Sequence, residues 1–86
     1  MELDLQIVIV GAFRYALDRS TYVVSSTCNV IEAVVEDMPT GQLELIEREI
    51  NAAIKSESIR MQMDLDRWKQ CLEVVSNEIK QRGIKK

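Results

Sequence analysis

Histidine is absent from the 86 residues. That removes the commonest general base and the commonest side-chain metal ligand. Glycine occurs three times and proline once, and no Gly-rich phosphate loop is formed. No nucleophile stands beside a base in a motif, and no cluster has metal-ligand spacing. Asp64 and Asp66 fall on different faces of a helix and read as caps, not as a catalytic pair. The only cysteines, Cys28 and Cys71, form no C-x-x-C pair and read as buried thiols of an intracellular protein. The expectation is a binding protein, not an enzyme, with no metal and no cofactor.

What is abundant is apolar side chain, at 47%, which excludes a disordered chain. Fourteen acidic residues against eleven basic ones leave a net charge of −3, which argues against general nucleic-acid binding through phosphates. Met1-Glu2-Leu3-Asp4 is acidic where a signal peptide is basic. The apolar run behind it is broken by Arg14, too early for a membrane span. A cytoplasmic protein that binds neither nucleic acid nor membrane is expected. The length suits one domain, 1–86, with a thin core, so a homo-oligomer that shares buried surface is expected.

Leu3 to Asp18 is almost continuously apolar. Ile7–Val10 is β-branched and would suit a strand. The pattern runs on through Phe13–Leu17 without a turn signal, which favours a helix over 3–18. Only Asp4, Gly11 and Asp18 cluster into a polar strip. Such a helix is central or pressed against a second protomer. Arg14 projects between Leu3 and Ile7. It is either snorkelling or paired with a carboxylate such as Asp18 at i+4, or it awaits an anion. Asp18 stands at the carboxyl end of the helix, and Ser20 or Thr21 caps the next one.

A second helix over 21–38 buries Val23, Val24, Thr27, Val30, Ile31, Val34, Val35 and Met38 on one face, with Cys28 at its edge. No acid follows its start until Glu32. Its free amide groups, with Arg14, Arg19 and several hydroxyls nearby, read either as an anion site or as a hydroxyl-capped helix end in water. Pro39 and Thr40 begin a third helix over 41–56, with Leu43, Ile46, Ile50, Ala53 and Ile54 inside and Glu44, Glu47 and Glu49 outside. That acidic surface counts against a DNA-reading helix-turn-helix made of the second and third helices, since the recognition helix would repel phosphate. Residues 57–63 read as an extended link or as more of the third helix, with Ile59, Met61 and Met63 either packing beneath the connection or meeting a partner. Asp64 or Asp66 caps a fourth helix over 65–81. It carries Trp68, Cys71, Leu72, Val75 and Ile79 at helical spacing, and Gly83 is its stop. The fold expected is all-α, a compact bundle of about four helices.

Phe13-Arg14-Tyr15-Ala16-Leu17-Asp18-Arg19-Ser20-Thr21-Tyr22 resembles a stretch found in small uncharacterised bacteriophage proteins. There it runs Phe-Arg-Tyr-Ala-Leu-Gly-Arg, a variable residue, then Thr-Tyr. Asp18 departs from the pattern, where glycine would allow a tight left-handed turn. The resemblance implies a role against host defence, exercised in the host cytoplasm. Three readings stay open. In the leading one, the chain is a non-enzymatic sponge for a nucleotide-like anion at the Phe13–Tyr22 corner. Arg14 and Arg19 would meet phosphate, Tyr15 or Tyr22 would stack on a base, and Thr21 would donate hydrogen bonds. In the second, it is a protein-binding inhibitor of a host defence enzyme, of anti-CRISPR type, using the acidic third helix or the apolar first one. In the third, it is a structural or accessory phage protein, and both arginines only hold the corner.

Overall fold

The structure is a computed structural model that describes residues 1–18 and 22–84. Four helices account for most of it: α1 (Leu3–Leu17), α2 (Tyr22–Val34), α3 (Thr40–Lys55) and α4 (Gln62–Ile84). A single 3-10 turn, Val35–Asp37, extends α2. No strand occurs among the described residues. α4 packs on α2 and α3, and α1 packs on the same two helices. α1 and α4 are therefore the diagonal pair of a four-helix arrangement. The all-α expectation holds, and the β-branched run Ile7–Val10 is helical.

Each helix feeds the core through one stripe. Ile9, Phe13 and Ala16 come from α1, and Val24, Cys28 and Ile31 from α2. Leu43, Ile46 and Ile50 come from α3, and Trp68, Cys71 and Val75 from α4. Spacings of three and four residues place each set on one face. The core face read for α3 is buried as expected, with Ile54 packed at its margin. Phe13 and Trp68 tie the diagonal helices together by an edge-to-face contact, with ring centroids 5.6 Å apart.

Several expected boundaries and contacts differ. The second helix ends at Val34 rather than Met38, because Met38 precedes Pro39 and is extended, at ψ 136°. Pro39 is the N-cap of α3, and its carbonyl accepts from the amides of Gln42 and Leu43. Thr40 is thus the first helical residue, not the cap. α4 starts at Gln62, so neither Asp64 nor Asp66 caps it; Asp66 instead accepts from the Gln62 amide at 2.8 Å, one turn back. Gly83 does not stop α4, which continues to Ile84.

Burial differs too. Val30 is 49% exposed, on the outer side of α2 rather than in the core. In the connection, only Ile59 packs against the core. Met61 and Met63 are exposed.

The α3–α4 connection begins with a Schellman closure. The amide of Ser58 reaches the Ala53 carbonyl at 3.1 Å and that of Glu57 reaches Ile54 at 3.2 Å. Glu57 adopts φ 59°, the left-handed position that glycine usually fills. This turns the chain so that residues 58–61 lie against the end of α1.

Candidate functional site

At the carboxyl end of α1, the Asp18 amide donates to the Tyr15 carbonyl at 3.2 Å. Asp18 itself lies at φ −90°, in the right-handed region, so the glycine of the resembling sequences is not required there. Beside it opens a cleft of about 550 Å³. Leu17 and Asp18 form one wall. Residues 58–61 and Asp64 form the other. The sequence difference of about forty residues between these walls is bridged by the Schellman turn.

The cleft mixes three kinds of surface. Leu17, Ile59 and Met61 supply apolar wall; Asp18 and Asp64 bring carboxylates; Arg60 brings the one guanidinium among the described lining residues. Asp64 is 5% exposed and already interacts within the chain. A pocket of this size, with apolar walls and a few polar groups, is of ligand-binding scale.

The residues expected to bind do not all meet here. Arg14 is exposed and its Nη2 lies 3.5 Å from Oε1 of Glu49 on α3. It borders a separate groove between α1 and α3, with Leu3, Ile7 and Gln42. Glu49, not Asp18, is its partner. Tyr15 follows Arg14 by one position, about 100° around the helix, and is 54% exposed on the outer side. The two side chains therefore diverge. Arg19 and Thr21 lie outside the described residues, as does the proposed cap Ser20. Tyr22 is the first residue of α2, and its side chain also lies outside the description.

Sequence reasoning did not single out Arg60 or Ser58. Their only signal was a polar stretch whose conformation the periodicity left open. It also missed two contacts between α2 and α4. Arg67 grips Glu32 with two hydrogen bonds, 2.7 and 3.0 Å, and Asn29 with a third at 2.9 Å. Beneath this clamp the thiols of Cys28 and Cys71, both fully buried, are hydrogen-bonded to each other. That bond favours thiolate at Cys28 and lowers its pKa, against the opposing effect of burial. Cys71, as the donor and in the same dry surroundings, is pushed well above the usual thiol range.

A second feature stands apart from the corner. Leu3, Leu5, Ile7, Val8 and Tyr15 of α1 are all exposed, as is Val30 of α2. An apolar groove of about 290 Å³ runs between these helices. Among the described residues no group of acidic or thiol side chains is arranged to hold a metal ion. No helix among them is long and apolar enough to cross a membrane.

Comparison of the chain with protein-family models, with curated proteins and with solved structures gives no match.

Proposed function

We propose that the chain is a non-enzymatic phage anti-defence protein that sequesters a small nucleotide-like anion at the corner between α1 and α2. The observation that supports this reading is the cleft at the end of α1, where one guanidinium, two carboxylates and an apolar wall converge. These are the three needs of a nucleoside phosphate. Arg60 meets phosphate oxygens by charge-assisted hydrogen bonds. A carboxylate such as Asp18 accepts from ribose hydroxyls, as acidic residues do in dinucleotide sites. Leu17, Ile59 and Met61 cover a base face. Arg19 follows Asp18 directly in sequence and is assigned to phosphate in this reading, with Thr21 and Tyr22 as further ligand residues. Arg14 leaves the ligand set, since its partner is Glu49, and Arg60 enters it. The defence role rests on the sequence resemblance; the ligand class rests on the chemistry of the cleft.

Function by sequestration needs only affinity, so the absence of histidine from the sequence is no obstacle. The test is a thermal-shift panel of cyclic nucleotides and ADP-ribose derivatives with the purified chain. A ligand at about a hundred times its Kd stabilises by about 2.7 kcal/mol, a shift of several degrees for a domain of this size. At least one compound is expected to give it. Arg60→Ala and Arg19→Ala should abolish the shift, and Arg14→Ala should leave it. No shift with any compound, or a shift indifferent to Arg60 and Arg19, refutes the assignment.

A further inference from the structure

The packing of α2 on α4 brings the two cysteines of the chain together. Val24 and Ser25 of α2 share a groove with Asp64, Arg67 and Gln70 of α4. Further along, Arg82 of α4 bonds to the carbonyls of Val35 and Glu36. Positions on the two helices therefore advance together, and α2 and α4 run parallel. Cys28 and Cys71 stand between these two levels, one turn beyond Val24 and Arg67 respectively. Both are fully buried, and their thiols are hydrogen-bonded to each other. Helices packed at about 10 Å bring directly facing Cα atoms to about 5.4 Å, inside the ~4.4–6.8 Å that a disulfide spans.

We propose that Cys28 and Cys71 form a redox lock: in the folded chain a hydroperoxide converts them to a disulfide that pins α2 to α4. The groove supplies the approach. It has a volume of about 200 Å³, and Val24 and Arg67 in its lining each stand one turn from a sulfur. A peroxide little larger than water has only that turn to cross.

The two thiols take different parts. Thiolate at Cys28 is favoured by the bond from Cys71 and by the nearby Arg67 guanidinium, against burial and the charges of Glu32 and Asp64. Cys28 is therefore the attacking sulfur. It bonds to one peroxide oxygen, the O–O bond breaks, and the leaving hydroxide takes up the proton that Cys28 gave and departs as water. Cys28 is then a sulfenic acid. The Cys71 sulfur attacks the Cys28 sulfur, the S–O bond breaks, and the departing hydroxide takes the Cys71 proton as a second water. Two electrons pass from the sulfur pair to the peroxide. The bridge closes a loop of about forty residues and restricts the unfolded chain far more than the folded one. Reduced and bridged forms then differ in how long the fold survives. The corner cleft includes neither cysteine, so the lock is independent of the ligand proposed there.

The experiment treats the purified full chain with hydrogen peroxide and follows its intact mass. The chain should lose about 2 Da, the two hydrogens given up on bridging. Trypsin should then release peptides 20–48 and 70–80 joined to each other. Tm should rise by about 10 °C, and a dithiol reductant should reverse both changes. The bridging rate should stay flat in urea below the unfolding midpoint, as for a local opening. Cys71→Ser should leave a sulfenic acid at Cys28 that dimedone captures, and Cys28→Ser should leave Cys71 unmodified. If either variant fails to fold, the readouts on the parent chain still decide. An unchanged mass, a bridge between chains, or a rate that climbs with urea in step with global unfolding overturns the proposal. A fall in Tm overturns the fit of the bridge to the native packing. Capture at Cys71 instead of Cys28 overturns the assigned order of attack.

Discussion

Phe13 and Trp68 meet edge to face at an interplanar angle of 84°, and both are essentially without solvent contact. They join two helices that lie diagonally across the bundle. The positive ring edge against the negative ring face adds about 0.5–1.5 kcal/mol to the burial of each ring. Phe13 opens the stretch Phe13–Tyr22 assigned above to ligand binding, yet its side chain belongs to the core. Part of that stretch is therefore structural.

Removing this contact tests its weight. Phe13→Ala should cost about 3–5 kcal/mol, a large part of the stability of a small domain. Phe13→Leu should cost less, since it keeps most of the volume and loses the edge-to-face geometry. Chemical denaturation followed by the fluorescence of Trp68, the only tryptophan, reads both. Equal losses for alanine and leucine would mean that the aromatic geometry, not the filled volume, carries the contact.

The Arg67 clamp is a second test. Two parallel hydrogen bonds to Glu32 and one to Asn29 fix α4 against α2, and both charged side chains are mostly shielded, at 20% and 28% exposure. Arg67→Ala should cost about 1–2 kcal/mol, between the values for exposed pairs and for hydrogen bonds to charged groups. Arg67→Lys should recover little, because an ammonium cannot reproduce the fork. A double-mutant cycle with Glu32→Gln isolates the pair. A coupling near zero would show that Asn29 and packing carry the contact.

Glu57 offers a stabilising change. Its φ of 59° costs a residue with a Cβ about 1–2 kcal/mol, and glycine escapes that cost while losing some through its freer unfolded state. Glu57→Gly should gain about 0.5–1 kcal/mol net and raise Tm by about 2–8 °C. Calorimetry settles it. An unchanged or lower Tm would place a compensating contact on the Glu57 side chain.

The sequence was most legible where a stripe repeats. The face of α3 that reaches the core follows directly from residue type at helical spacing, and so does the anchor Trp68, whereas the apolar circumference of α1 does not say which of its sides turns inward. Val30 shows the limit of that reasoning. Residue type marks what can be buried, while the number of neighbouring helices decides what is. Val30 lies on the open rim of the groove between α1 and α2, where no third helix covers it. The end of α4 shows another limit. Gly83 is a stop signal, but the Arg82 guanidinium is bonded to Thr40 and to the carbonyls of Val35 and Glu36. Those bonds, to residues more than forty positions away, hold the last turn in place. The corner was legible as a concentration of unusual side chains. That Arg14 turns to Glu49 depends on the packing of α1 on α3, and that Arg60 lines the cleft depends on the Schellman turn, which a glutamate at the left-handed position conceals.

The buried thiol pair gives a pH dependence whose sign can be worked out. In the unfolded chain each thiol ionises near pH ~8.5. In the native protein Cys71 is raised, by its hydrogen bond to Cys28 and by burial, and keeps its proton. Cys28 is lowered, chiefly by that same hydrogen bond and in part by the Arg67 guanidinium. Above the unfolded pKa, Cys28 is ionised in both states and drops out of the balance. The native state then binds one more proton than the unfolded state, so stability falls as pH rises, by about 1.4 kcal/mol per pH unit. The stabilisation from Cys71 is fully present below about pH 8.5 and is lost as pH rises toward its native pKa. A single Cys71→Ala is a poor control, since it removes the donor and leaves Cys28 to be raised by burial alone. The thiol-free Cys28→Ala/Cys71→Ala chain is the proper comparison, and lysine and tyrosine titrations cancel in the difference. It should be less stable than the parent at neutral pH, through lost packing, and the gap should narrow steadily above about pH 8.5. Urea titrations of both chains across that range measure the gap; if it stays constant, the two thiols titrate alike in the folded and unfolded chain.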